Sequence, residues 1–142
     1  MGMLSIETLM KLDRKQVMEV PVKEVHAKHL SKILGHDVNV KIKALSGNTY
    51  TELLAGANGK KGNVNISKIY KAQTLIVVEA MQEPSLKDKE LQNHFGVASP
   101  AELAQILFPR GEMVTIFNAV SELSGYGDDD EEEDMDDEVK NS

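Results

Sequence analysis

The chain contains no cysteine, which excludes a disulfide framework and a thiolate metal site and suits a reducing cytoplasm. It also lacks a long apolar run. The longest, Leu75-Ile-Val-Val78, falls far short of the roughly 20 residues that a membrane-spanning helix needs. Met1-Gly-Met-Leu-Ser-Ile-Glu has no basic segment followed by an apolar one, so no signal peptide is read. Ile6 stands where the myristoylation pattern wants Ser or Thr. Chemistry is missing as well. Gly59-Lys-Lys61 lacks the glycine spacing and the hydroxyl residue of a phosphate loop, and Ser121 and Ser124 have no recognisable histidine base. The absences describe a soluble intracellular protein that is not an enzyme and carries no cofactor.

The charge is unevenly placed. Of the 23 acids, ten fall in residues 128–138, starting Asp128, Asp129, Asp130, Glu131, Glu132, Glu133. Residues 128–142 carry a charge of −9, and the other 127 residues, with 13 acids and 15 bases, carry +2. Neighbouring charges about 3.5 Å apart on an extended chain repel within a Debye length of about 8 Å. With no apolar face to bury, 127–142 is expected to be a disordered acidic tail. It is a solubilising tail, or one that contacts a basic partner or screens a sticky surface. Nucleic acid is disfavoured as a partner, because +2 makes no basic stripe and the tail opposes phosphate.

Residues 1–126 form the single expected domain. Ser5 caps a short helix with Ile6, Leu9 and Met10 on one face. Asp13-Arg-Lys-Gln16 caps another turn before Pro21. Two readings fit Lys23 to Lys43: a helix stopped by Gly35, or strands at Lys23–His29 and Val38–Lys43 around a helical turn at Ser31–Leu34. The alternation of Val38, Val40 and Ile42 with Asn39, Lys41 and Lys43 favours strands. Ser46 caps a helix with Tyr50, Leu53 and Leu54 inward, and Gly56–Asn63 reads as a mobile loop.

Asn65 caps the central helix, with Val64 and Ile69 as a hydrophobic staple. Its stripe runs Ile66, Ile69, Ala72, Ile76 and Ala80, widened by Leu75, Val78 and Met81, until Pro84. Asp88 caps a helix carrying Leu91 and Phe95, with Gly96 as its left-handed stop. Ser99-Pro-Ala-Glu102 is a capping box in which Glu102 reaches the Ser99 amide; Leu103, Ile106 and Leu107 face the core until Pro109. The last helix starts near Arg110 or Gly111, aligns Met113, Ile116, Phe117, Val120 and Leu123, and closes at Gly125. The fold class is therefore α+β and mainly helical: a small N-terminal two-stranded antiparallel β element, then a helical bundle.

Few residues invite a chemical role. His26, His29 and His36 are spread around a turn with no fourth ligand, so they read as surface histidines and no metal site is assigned. Glu79 in the central helix reads as a boundary residue, and His94 meets a helix C-terminus. Met10, Met18, Met81 and Met113 either fill the core or line an adaptable groove for an apolar partner. The partner-binding candidates are Met81, Met113, Phe117, Leu123 and the acids Asp128, Asp129, Asp130, Glu131, Glu132 and Glu133.

Glu83-Pro-Ser-Leu-Lys-Asp-Lys-Glu-Leu-Gln-Asn-His-Phe-Gly-Val97, Ser99-Pro-Ala-Glu-Leu103, Gly111-Glu112 and Glu122-Leu-Ser-Gly-Tyr126 together resemble the XkdN-like tail assembly chaperones of tailed bacteriophages and prophages. Val40-Lys-Ile-Lys-Ala-Leu-Ser-Gly47 is similar to the family's strand and following helix start. The resemblance covers about residues 5–126, and the acidic tail is longer and denser than the family pattern. It implies a chaperone in the cytoplasm of the bacterial host that binds the tape-measure protein, keeps it soluble, helps recruit tail tube protein and is not retained in the virion. Self-association is a further expectation, and related genes of the family often make a second, longer product by ribosomal frameshifting near the C-terminus. The competing readings are a structural tail component that stays in the particle and an acidic regulator of the DNA-mimic type. None of these involves a membrane.

Overall fold

The structure, a computed structural model, describes residues 2–56 and 66–126. All but Gly56 of the expected loop Gly56–Asn63, the Asn65 cap with its Val64 staple, and the acidic run 128–138 lie outside the described residues. Two short helices come first, α1 (Ile6–Met10) and α2 (Arg14–Val17). The Thr8 N–H donates to Ser5 Oγ at 3.1 Å. Asp13 and Gln16 form a reciprocal box, Gln16 N–H to Asp13 Oδ1 at 2.8 Å and Asp13 N–H to Gln16 Oε1 at 3.0 Å.

The sheet is antiparallel throughout, with β1 (Val22–His26) and β2 (Asn39–Lys43) paired so that Val25 faces Val40 and Lys23 faces Ile42. This resolves the 23–43 ambiguity in favour of strands, with one change: the turn between them is a full helix, α3 (Lys28–Leu34), closed by left-handed Gly35. Ser31 fastens α3 to the start of β2, its Oγ accepting from the Val38 N–H at 2.9 Å.

Helix α4 (Gly47–Ala55) carries the Ser46 cap, with the Thr49 N–H 3.2 Å from Ser46 Oγ. The long helix α5 (Ile66–Ala80) runs straight into a third strand, β3 (Met81–Glu83), which pairs with β2. The expected two-stranded element is thus a three-stranded sheet of order β1-β2-β3. Met81 continues the apolar spacing of α5, so its sequence fits a helix; the free edge of β2 supplies backbone partners that turn it into a strand.

Helices α6 (Lys89–His94), α7 (Pro100–Leu107) and α8 (Glu112–Leu123) complete the domain. Asp88 and Ser99 cap α6 and α7 through the Leu91 and Glu102 N–H groups. Glu102 reaches one residue further back than expected: its Oε2 accepts from the Ala98 N–H at 3.0 Å. Gly125 (φ 92) closes α8 in a Schellman pattern, with Tyr126 N–H bonded to Ser121 O and Gly125 N–H to Glu122 O.

Helix α5 is the hub and packs against α4, α7 and α8 as well as β2. The core joins Ile42 to Ile76, Val77, Leu103, Phe108, Met113, Ile116 and Val120. Leu54, Ile66, Phe95 and Ile106, expected to face inward, are instead exposed. Ile66 is the first residue of α5 and Phe95 follows the last of α6, so both stand at helix ends, while Leu54 and Ile106 are only partly uncovered, at 37% and 44%. Helix α3 lacks a local cap at Ala27; the Glu112 carboxylate at the start of α8 accepts from the Lys28 and His29 N–H groups at 2.6 and 3.1 Å.

Candidate partner-binding surface

Among the described residues, the N-terminal segment carries the largest concentration of uncovered apolar side chains. Residues 2–20 contain no buried position. Met3 is 97% exposed, Ile6 79% and Met10 80%, and Leu4, Leu9, Leu12, Val17, Met18 and Val20 are also exposed. Ile6, Leu9 and Met10 lie on a helix, as their spacing predicts, and none of the described residues covers them. Helices of five and four residues lie well below the length, about 12–15 residues, at which an isolated helix becomes even marginal in water. Caps worth about 1 kcal/mol each help, yet most helical stability comes from packing an apolar face. Here that face is open.

The candidates named from sequence fall elsewhere. Met113 and Met81 are core residues, 0% and 6% exposed. Phe117 and Leu123 are half-buried and pack against the core. Phe117 belongs to an aromatic row: its ring centroid lies 6.4 Å from that of Tyr50, which stacks on Tyr126 at 4.3 Å and 9°. The Tyr50 hydroxyl and Ser121 Oγ share a 2.8 Å hydrogen bond, and Ser124 Oγ accepts from the Leu45 N–H at 2.9 Å. Both serines therefore tie α8 to the β2–α4 segment. Asp128 to Glu133 lie outside the described residues.

Titratable groups form small local pairs. Lys87 Nζ donates to Glu79 Oε2 at 2.8 Å at the partly exposed edge of α5, the boundary role expected of Glu79. His26 Nε2 lies 3.4 Å from Asp37, and His94 meets the Phe95 ring edge-on at 4.9 Å. Among the described residues no three of His, Asp or Glu are grouped to hold a metal ion. No helix among them is long and apolar enough to cross a membrane.

The architecture has a known counterpart. A solved structure described as the crystal structure of the protein YqbN has 21% sequence identity and a TM-score of 0.56, over 87% of this chain and 98% of its own. At that identity the likeness speaks for the fold. No curated protein matches the chain. The model of the phage XkdN-like tail assembly chaperone family matches residues 6–140, so the matched span takes in the acidic run as well as the domain. A match across nearly the whole chain makes this protein a member of the XkdN-like phage tail assembly chaperone family.

Proposed function

We propose that this chaperone acts on the tape-measure protein in the cytoplasm of the bacterial host. It covers apolar helical surface of that protein, keeps it soluble and helps recruit tail tube subunits, and it leaves before the virion is complete. The observation that carries this reading is the N-terminal segment 2–20, with two capped but unpacked short helices and exposed Ile6, Leu9, Met10, Val17 and Met18. An exposed apolar helix aggregates, and a small amphipathic element laid along it suppresses aggregation by removing that surface from water. Phe117 and Leu123 remain a secondary contact face, because both are partly accessible. Met81 and Met113 support the core from within. Residues 1–126 act as the chaperone domain, with 127–142 as an acidic appendage that adds solubility.

Stoichiometry follows from length. A helix rises about 1.5 Å per residue, so one domain of this size covers a small part of a long tape measure and several copies are needed. Co-expression tests the reading. The tape-measure protein of the same phage should become soluble in a complex containing several copies of this chain. If it stays insoluble while other tail proteins co-purify, the tape measure is not the client.

A further inference from the structure

A cavity of about 590 Å³ opens between β1, α3 and the start of α8. Its wall carries Lys28, Lys32 and Arg110 together with His26 and His29. Among the described residues, none of the three permanent cations has an ion-pair partner. The acid on the wall, Glu112, has both carboxylate oxygens engaged by the Lys28 and His29 N–H groups. Asp37 stands beside His26 at the rim. The cavity is thus positive and suited to carboxylates.

The chain itself supplies them. The described structure ends at Tyr126, held against Tyr50 at the C-terminal end of α8, and the acidic run begins two residues later. The cavity lies at the opposite end of the same helix, whose 12 residues span roughly 18 Å. An extended chain covers about 3.3–3.6 Å per residue, so seven residues beyond Tyr126 reach the cavity. Glu133, Asp134, Asp136, Asp137 and Glu138 then fall within range. A tether this short holds them at an effective concentration of order millimolar, well above that of a free competitor.

We propose that the acidic run 128–138 occupies this cavity in cis, as an anionic plug that another carboxylate-bearing segment must displace before it can use the Lys28, Lys32 and Arg110 surface. The pairing sets charge against charge, so it strengthens at low salt and weakens as the Debye length falls to about 3 Å at 1 M.

Zero-length carbodiimide crosslinking of the full chain, read by peptide mass spectrometry, tests this. An equal mixture of 15N-labelled and unlabelled chains separates contacts within a molecule from contacts between molecules. Lys28 and Lys32 should crosslink to 128–138 within one isotopic copy. Their yield should exceed severalfold that of the exposed Lys71 and Lys89, which the same tail meets only in passing, and should fall severalfold in 1 M salt. The exposed double substitution K32E/R110E should cut the Lys28 yield to the level of Lys71 while the thermal melt stays in place. Even crosslinking over all lysines, a yield indifferent to salt, or an unchanged Lys28 yield in a folded double variant overturns the proposal. Crosslinks joining labelled to unlabelled chains overturn the in-cis assignment and put the tail on a second copy.

Discussion

Glu112 and Lys28, 84 positions apart in the chain, are joined by a 2.6 Å hydrogen bond from the Lys28 N–H to Glu112 Oε2. The bond makes the start of α8 the N-cap of α3, whose own Ala27 has no side chain to offer. The cap is thus tertiary, and α3 depends on α8 being in place. Glu112→Ala should lower stability by about 1–2 kcal/mol, the usual worth of an N-cap, measured by urea denaturation. Glu112→Gln, which keeps one acceptor, should cost less. A loss as small as that of an exposed Lys28→Ala control would show that α3 needs no such cap.

Phe108 and Phe117 should separate cleanly. Phe108 is 0% exposed, so Phe108→Ala is expected to cost about 3–5 kcal/mol. Phe117 is half-buried beside Tyr50, and Phe117→Ala should cost clearly less in the same denaturation assay. Equal losses would mean that the outer aromatic row is as tightly packed as the core.

Helix α8 is closed by Gly125 and the Tyr126 N–H, so it is complete before the acidic run begins. Ending the chain after Tyr126 should move the thermal midpoint by only a few degrees, equivalent to about 1 kcal/mol or less. A collapse of the melt on truncation would give the tail a structural role.

Leu9→Asp and Met10→Asp probe the open N-terminal face. Both side chains are exposed, so each change should stay within about 0.5 kcal/mol while co-expression no longer keeps the tape-measure protein soluble. Retained solubilisation by a folded double variant would move the client surface away from α1.

How much of this was legible in the sequence depends on range. Ser5, Asp13, Ser46, Asp88 and Ser99 announce their helices because a cap acts on an amide three residues away, within the same stretch of chain. Val38 to Lys43 announces β2 by alternation. Strand β3 does not announce itself: Met81 obeys the spacing of α5, and only the unpaired edge of β2 makes it a strand. The Glu112 cap is hidden for the same reason, since no local pattern links residues so far apart. Ile6, Leu9 and Met10 give the right periodicity and no destination, because an apolar stripe states that it wants cover without saying which molecule provides it. The candidate site is therefore the least legible part, as none of the described residues covers it.

Backbone hydrogen exchange on residues 2–20, in the free protein and in the purified complex with the tape-measure protein, tests the central claim most directly. Helices as short as α1 and α2, with no buried residue, should exchange close to the unprotected rate when free. In the complex, the amides of Ile6–Met10 and Arg14–Val17 should slow by at least about tenfold, while β1 and β2 change little. A soluble complex in which residues 2–20 exchange as fast as in the free chain would contradict the account.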